Sequence, residues 1–443
     1  MTEAKTKSYT LSGSAYKTNW PLLLLIFLIP LRNIQIQYLP NLGGGLNALN
    51  VLFLLALFHS MMHGRKYETS SSINSIIIWY ILSGVLALMV GYGYLQGGAE
   101  GNWKAFKDQC IPLLLVMIIQ KSAADGVQWR RILIAGLLSV PYCARLVWDQ
   151  YRSVASFHYS DDLRIKGPFM DLGANEMGAY SVTLTLLAVA LLISVWQQPR
   201  WRNFFLFVLF CSGICVLYSY SRGAYVSVLL GLIVILVKSG KLSKVILPAI
   251  LVSIISLPLL PASVTERFST ISSEEGERDE SAQSRFVFWE IALNKWKERP
   301  FLGFGYKTAD DETINPHQMD THNYYVKVIV ERGIIGSIML ILLLMAVWKL
   351  TKRNLIHNKN EHFDDDEEEV DTGDPFAQGV ALGMHGIFAA LLLANMFGDR
   401  FSHYPVLTIF WTLVGLIAAS QLHRNEPQQN ADDTEKSSQA DTF

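Results

Sequence analysis

Asn175–Trp196 reads NEMGAYSVTLTLLAVALLISVW. After Glu176 the next charged residue is Arg200. A helix rises about 1.5 Å per residue, so about 20 such residues cross a hydrocarbon layer of about 30 Å. Lipid offers the backbone no hydrogen-bond partner, and a helix satisfies its own. Comparable runs lie at 20–36, 46–62, 74–93, 107–121, 131–147, 203–220, 223–238, 243–260, 330–350, 376–396 and 405–421. The first is interrupted by Pro30 and Arg32. The expected fold is all-α: a polytopic membrane helix bundle of about twelve transmembrane helices.

The composition agrees. Of 443 residues, 51% are hydrophobic and 17% charged, against about 25% charged in a soluble domain. The net charge of −1 gives no field that would attract nucleic acid. Cys110, Cys143, Cys211 and Cys215 all fall in or beside apolar runs and read as small core residues. Residues up to Asn19 are polar and lack a signal-peptide layout, so the first run reads as a retained helix.

Orientation follows the Lys/Arg bias of short loops. With Lys5, Lys7 and Lys17 in the cytoplasm, alternate loops carry Arg65-Lys66, Arg130-Arg131, Arg200 with Arg202, Lys238 with Lys241 and Lys244, and Lys349 with Lys352-Arg353. Both termini are then cytoplasmic. The expected organisation is nine transmembrane helices over 1–260, a large outer loop over 261–321 and three more helices over 322–421. A cytoplasmic acidic linker falls at about 352–375, including Asp364–Glu369, and a disordered cytoplasmic tail at 422–443. Within the outer loop, Arg285–Trp296 has near-helical apolar spacing and is stopped by Pro300.

Ionisable residues near a membrane edge are functional candidates. Arg222 sits in Ser219-Tyr220-Ser221-Arg222-Gly223, a tight connection between two apolar runs. Arg285 opens the amphipathic stretch of the outer loop. His322, in Thr321-His322-Asn323-Tyr324, precedes Gly333 and Gly336, which would let a neighbouring helix approach. Arg164 and Asn175 flank the entry to the 175–196 run, and Asp399, Arg400 and His403 occupy a short outer loop. Singly, each has a plain structural reading: an interfacial arginine, a surface arginine, a lone histidine, an N-cap at Asn175, an internal Asp399–Arg400 pair. Collectively they define one outer face. Arginine forks suit polyanionic phosphate, and an imidazole can take a hydroxyl proton near neutral pH.

These motifs resemble the bacterial O-antigen ligase and polymerase superfamily, over roughly residues 160–345. His322-Asn323, nine residues and then Gly333-x-x-Gly336 resembles the ligase signature. Ser221-Arg222-Gly223 resembles the arginine turn, Arg285…Trp289…Pro300…Gly303-Phe304-Gly305 the large periplasmic loop, and Arg164…Gly167…Asn175 a weaker family pattern. The resemblance implies a membrane glycosyltransferase C fold in the bacterial inner membrane, with a periplasmic active site. It implies transfer of a glycan from undecaprenyl diphosphate, inverting the anomeric carbon, with no metal and no cofactor. His322 would be catalytic, Arg222 and Arg285 would bind the diphosphate, and Asn323, Asn175, Arg164, Tyr220 and Asp399 would support them. The acceptor would be lipid A-core oligosaccharide for a ligase or another lipid-linked repeat for a polymerase; the spacing after His322-Asn323 favours the ligase. A lipid or glycan transporter is the reading from another class, and charge-poor mid-spans argue against it.

Overall fold

The computed structural model describes residues 16–40, 47–67, 70–92, 99–153, 164–242, 280–311, 314, 316, 321–360 and 374–440. In chain order its helices are α1 Trp20–Leu28, α2 Arg32–Tyr38, α3 Ala48–His63, α4 Ser72–Gly91, α5 Ala99–Ser122, α6 Gly126–Leu138, α7 Val140–Ser153, α8 Ala174–Val195, α9 Pro199–Tyr218, α10 Arg222–Lys238, α11 Glu280–Trp296, α12 Tyr324–Asn360, α13 Pro375–Ala394 and α14 Tyr404–Ala440. A single 3-10 turn, Arg400–Ser402, precedes α14. Polar side chains set the starts. Asp125 accepts from the Val127 and Gln128 amides at 3.0 and 2.8 Å, and Asp374 from the Phe376 amide at 3.0 Å.

Among the described residues, seven segments are long and apolar enough to cross a membrane: α4, α6–α7 as one unit, α8, α9, and the apolar parts of α12, α13 and α14. The chain is a multi-pass membrane helix bundle. The expected twelve spans are not all present in that form, and each shortfall has a cause. The 20–36 run is two helices bent by 103°, broken around Pro30. The helices α3 and α10 have 16 and 17 residues, at or just below the shortest length that crosses the hydrocarbon layer. The first half of α5 carries Lys104, Lys107 and Asp108. The 243–260 run, the first part of the 261–321 loop up to 279 and the 364–369 acidic run lie outside the described residues. The helix α14 is described as far as Ala440.

The bundle centre is α8, α13 and α14. In α14, 89% of the apolar window is buried, against 33% in α4. The outer faces of α4, α9 and α12 carry exposed Trp79, Phe207, Phe210 and Ile341, as lipid-facing surfaces do. Cys143, Cys211 and Cys215 are buried, unpaired core residues.

The long helix α12 is not continuous. Gly333 leaves helical geometry at φ 61° and ψ −162°. The carbonyls of Val330 and Glu331, freed by the break, accept from the Phe304 and Gly305 amides at 2.9 and 2.8 Å. The amides of Ile334 and Ile335 donate to Pro300 and Phe301 at 2.8 and 3.3 Å. Every backbone group the break releases at these positions is thus taken up by residues 300–305. A Cβ at Gly333 would lie 2.3 Å from the Phe301 oxygen. This glycine therefore admits a loop rather than the neighbouring helix expected from the sequence.

Candidate active site

The first cavity, about 480 Å³, opens where α8, α10, α11 and α13 meet. Four guanidinium groups line it: Arg164, Arg222, Arg285 and Arg400. Among the described residues, the lining contains no carboxylate; its remaining surface includes Val226, Leu391, Leu393 and Phe397.

Each arginine is placed by a local device. The stretch leading into α8 is clamped to α7 by Gln150, whose Nε2 donates to the Gly167 carbonyl at 2.9 Å while its Oε1 accepts from the Gly167 amide at 2.9 Å. Arg164 then donates to Asn175 Oδ1, and the same oxygen accepts from Ser221 Oγ at 2.9 Å. Asn175 is not the N-cap of α8. Gly173 holds that position at φ 128°, and Asn175 turns sideways to join two walls of the cavity. Ser221 caps α10, accepting from the Ala224 amide at 3.3 Å. The tight turn before it is made by buried Tyr220 at φ 50°, not by Gly223, which is already within α10. Bulk is excluded nearby: a Cβ at Gly178 of α8 would sit 2.9 Å from Ala224 Cβ.

His322 does not line this cavity. It is exposed, at φ 48°, between two anchored neighbours. The Thr321 carbonyl accepts from Trp289 Nε1 at 2.6 Å, one turn along α11 from Arg285. The Tyr324 amide donates to the Gly398 carbonyl at 3.1 Å, next to cavity-lining Phe397. Asn323 is buried and caps α12, accepting from the Tyr325 and Val326 amides at 3.0 and 3.2 Å. The backbone carrying the imidazole is therefore fastened to two walls of the arginine cavity, while the ring stands outside its lining.

Asp399 departs from its expected place. It does not pair with Arg400. Lys327 Nζ lies 3.0 Å from its Oδ2 and His403 Nε2 3.2 Å from its Oδ1, whereas Arg400 pairs with Glu176. His403 also lies 3.4 Å from Glu176 Oε1, joining both pairs into one buried wall. Burial alone would raise the Asp399 carboxyl, but Lys327 and His403 outweigh it and hold it well below the usual carboxylate range.

Residues 207–341 match the family model described as O-antigen ligase. This segment is similar to that family. It contains Arg222, Arg285, His322, Gly333 and Gly336. A Haemophilus influenzae protein described only as uncharacterized is 26% identical over 217 residues, covering 43% of this chain and 54% of its own length. The chain thus spans about half the length of that curated relative.

The matched segment does not build the site alone. Arg164, Asn175 and Arg400 come from outside it. Beyond the charged wall lies a second cavity of about 730 Å³ to which the segment contributes Tyr306, Glu331 and Arg332, and to which α2, α5 and α14 also contribute. Asp399 lines this one. Arg332 is buried, donates to Gln109 and stacks between the rings of Tyr80 and Tyr306 at 4.7 and 4.3 Å. Gly336 makes room for it, since a Cβ there would fall 2.2 Å from Arg332 Cβ. Gln150 and Gln109 escaped the sequence reading; nothing local distinguishes a glutamine that clamps a loop or holds a buried arginine.

Proposed function

We propose that this protein transfers a glycan from a polyprenyl diphosphate to a hydroxyl acceptor on the outer face of a bacterial inner membrane, with lipid A-core oligosaccharide as the acceptor. The convergence of four arginines on one cavity with apolar walls carries this reading. A diphosphate needs paired, permanently charged donors, and its lipid needs an apolar exit. Val226, Leu229, Ile233 and Val237 form an exposed stripe along α10 that begins at the cavity, a surface on which a polyprenyl chain can lie.

In this reading His322 takes the proton from the acceptor hydroxyl. The freed oxygen attacks the anomeric carbon from the face opposite the diphosphate, inverting it. The bond from that carbon to the diphosphate oxygen breaks, its electron pair stays on the diphosphate, and Arg222 and Arg285 stabilise the growing charge. The family match supports glycan transfer in general. Burial of the opposite half of the central helices, from Leu184 to Leu192 in α8 and along α14, favours an enzyme with a one-sided site over a transporter open to both faces.

The test is reconstitution. The purified protein in lipid vesicles, given an undecaprenyl-diphosphate-linked glycan and lipid A-core, is expected to yield glycan-capped lipid A-core and free undecaprenyl diphosphate. No transfer to any hydroxyl acceptor, including a second lipid-linked glycan, would overturn the proposal. Deleting the gene separates the two acceptors. Loss of capped lipid A-core with long lipid-linked chains surviving means ligation, and loss of the long chains means polymerisation.

A further inference from the structure

The larger cavity, beyond the charged wall, is not used by the arginine site. Buried charge is costly unless a partner compensates it. Arg332 is 3% exposed, and among the described residues no carboxylate pairs with it; its bonds are one to the neutral Gln109 and stacking on two tyrosine rings. Its Nη1 has no hydrogen-bond partner. The protein commits a broken helix, a glycine and a tyrosine sandwich to hold this group, and leaves part of its fork unused.

The rest of the lining fits the same ligand. Cations from Arg32, Lys104, Lys107, Lys307 and Lys327 join Arg332 there, against carboxylates from Asp108, Asp171, Glu331 and Asp399. Several pair off, Arg32 with Asp171 and Lys327 with Asp399 among them. Lys104 stands exposed. At the α2 side the lining turns apolar, with Ile36, Leu39, Pro40 and Leu49 beside a strongly bent helix pair. A site with a cationic floor, mixed polar walls and an apolar lip suits a glycan that bears an anionic group and is anchored to a lipid.

From this geometry we infer that the second cavity seats the acceptor, holding a phosphate or sugar carboxylate of a lipid-anchored oligosaccharide against Arg332. The inference rests on the glycan-transfer reading and adds to it where the acceptor lies and which group is recognised. The chain around His322 fits that division. Thr321 is bonded to α11, which carries Arg285, whereas Tyr324 lines the second cavity. The imidazole lies on the short segment between the two.

The experiment measures binding and not turnover, so it survives failure of the transfer assay. The full-length protein in nanodiscs is titrated with a phosphorylated lipid-anchored oligosaccharide and with the same glycolipid after phosphatase treatment. The phosphorylated form is expected to bind about tenfold more tightly, the size of one lost charge-assisted hydrogen bond. Arg332→Gln is expected to erase the preference, while Arg222→Lys keeps it. If Arg332→Gln does not insert, the paired Lys104→Gln and Lys107→Gln variant at the mouth is expected to reduce the preference about threefold. Equal binding of the two glycolipids, or a preference that persists in both variants, overturns the assignment. Displacement by inorganic phosphate at the glycolipid's own concentration also overturns it, and assigns the site to free phosphate.

Discussion

In the first cavity, arginines from α8's approach, α10, α11 and the loop before α14 stand over apolar side chains, with no carboxylate in the lining among the described residues. In the second, cations alternate with carboxylates, and a single arginine is sunk between aromatic rings. The two are separated by Glu176, Asp399, Arg400, His403 and Lys327. Adjacent residues in the chain serve opposite sides, Asp399 the second cavity and Arg400 the first. A cluster of guanidinium groups draws a diphosphate and stabilises it more as its charge grows. A balanced field binds a polar glycan through many weaker contacts and leaves discrimination to one buried fork. The wall keeps the carboxylates of the second cavity from neutralising the arginines of the first.

The comparison breaks most visibly at the histidine carried on the segment between Thr321 and Tyr324. His322→Ala is expected to lower glycan transfer about 10³-fold, in the range of a lost general base, while leaving the binding of donor and acceptor unchanged. Single-turnover transfer and separate equilibrium titrations check this. Transfer within a few-fold of the parent protein would remove the imidazole from the chemistry and leave two binding cavities without a base between them.

Arg222→Lys acts on one side only. A lysine keeps the charge but loses the planar fork, so transfer is expected to fall about 100-fold with donor affinity, as when one charge-stabilising donor is removed. Acceptor affinity stays. Full activity in the lysine variant would show that the cavity needs positive charge and not paired guanidinium contacts.

How much of this was legible in the sequence depends on what surrounds each residue. Uninterrupted apolar runs gave the expected helices closely: 175–196 corresponds to Ala174–Val195 and 376–396 to Pro375–Ala394. Runs touched by the cavities did not. The polar first half of α5 supplies Lys104, Lys107 and Gln109 to a lining, so hydropathy alone places its start eight residues late, at 107 instead of Ala99. Arg222 and Arg285 stand out locally because each sits at the edge of an apolar or amphipathic stretch, and they share a cavity. Arg332 was readable only as an interfacial charge, because its holder Gln109 is 223 residues away. Asp399 was misassigned for the same reason: its neighbour in sequence, Arg400, faces the other cavity, and its true partner Lys327 is on α12. Gly333 and Gly336 were recognisable as a close-approach motif, but what approaches is a loop at one and an arginine side chain at the other.

Gly336→Ala sharpens the contrast from the second side. The added methyl would meet Arg332 Cβ at 2.2 Å, so the arginine must shift out of its tyrosine sandwich. Affinity for a phosphorylated acceptor is expected to fall several-fold, about 1 kcal/mol, with donor binding untouched. A loss shared equally by donor and acceptor would mean that the break in α12 supports both cavities as one rigid unit.

The smallest effect concerns the wall itself. Asp399 has a folded-state pKa depressed below the ordinary carboxylate value by Lys327 and His403, so its proton binds more readily in the unfolded chain. Its contribution is therefore complete above the unfolded value of about 3.9 and is lost as pH falls from there toward the folded value. Thermal unfolding in detergent is expected to show the parent protein losing stability across that acidic window, and Asp399→Asn, which keeps the shape but has no proton to gain, starting lower at neutral pH and changing less on acidification. The substitution also leaves Lys327 without its anionic partner in a buried place, which accounts for the lower start. If both proteins lose stability in parallel below pH 5, the acid sensitivity does not reside in Asp399, and the partition between the cavities does not depend on its charge.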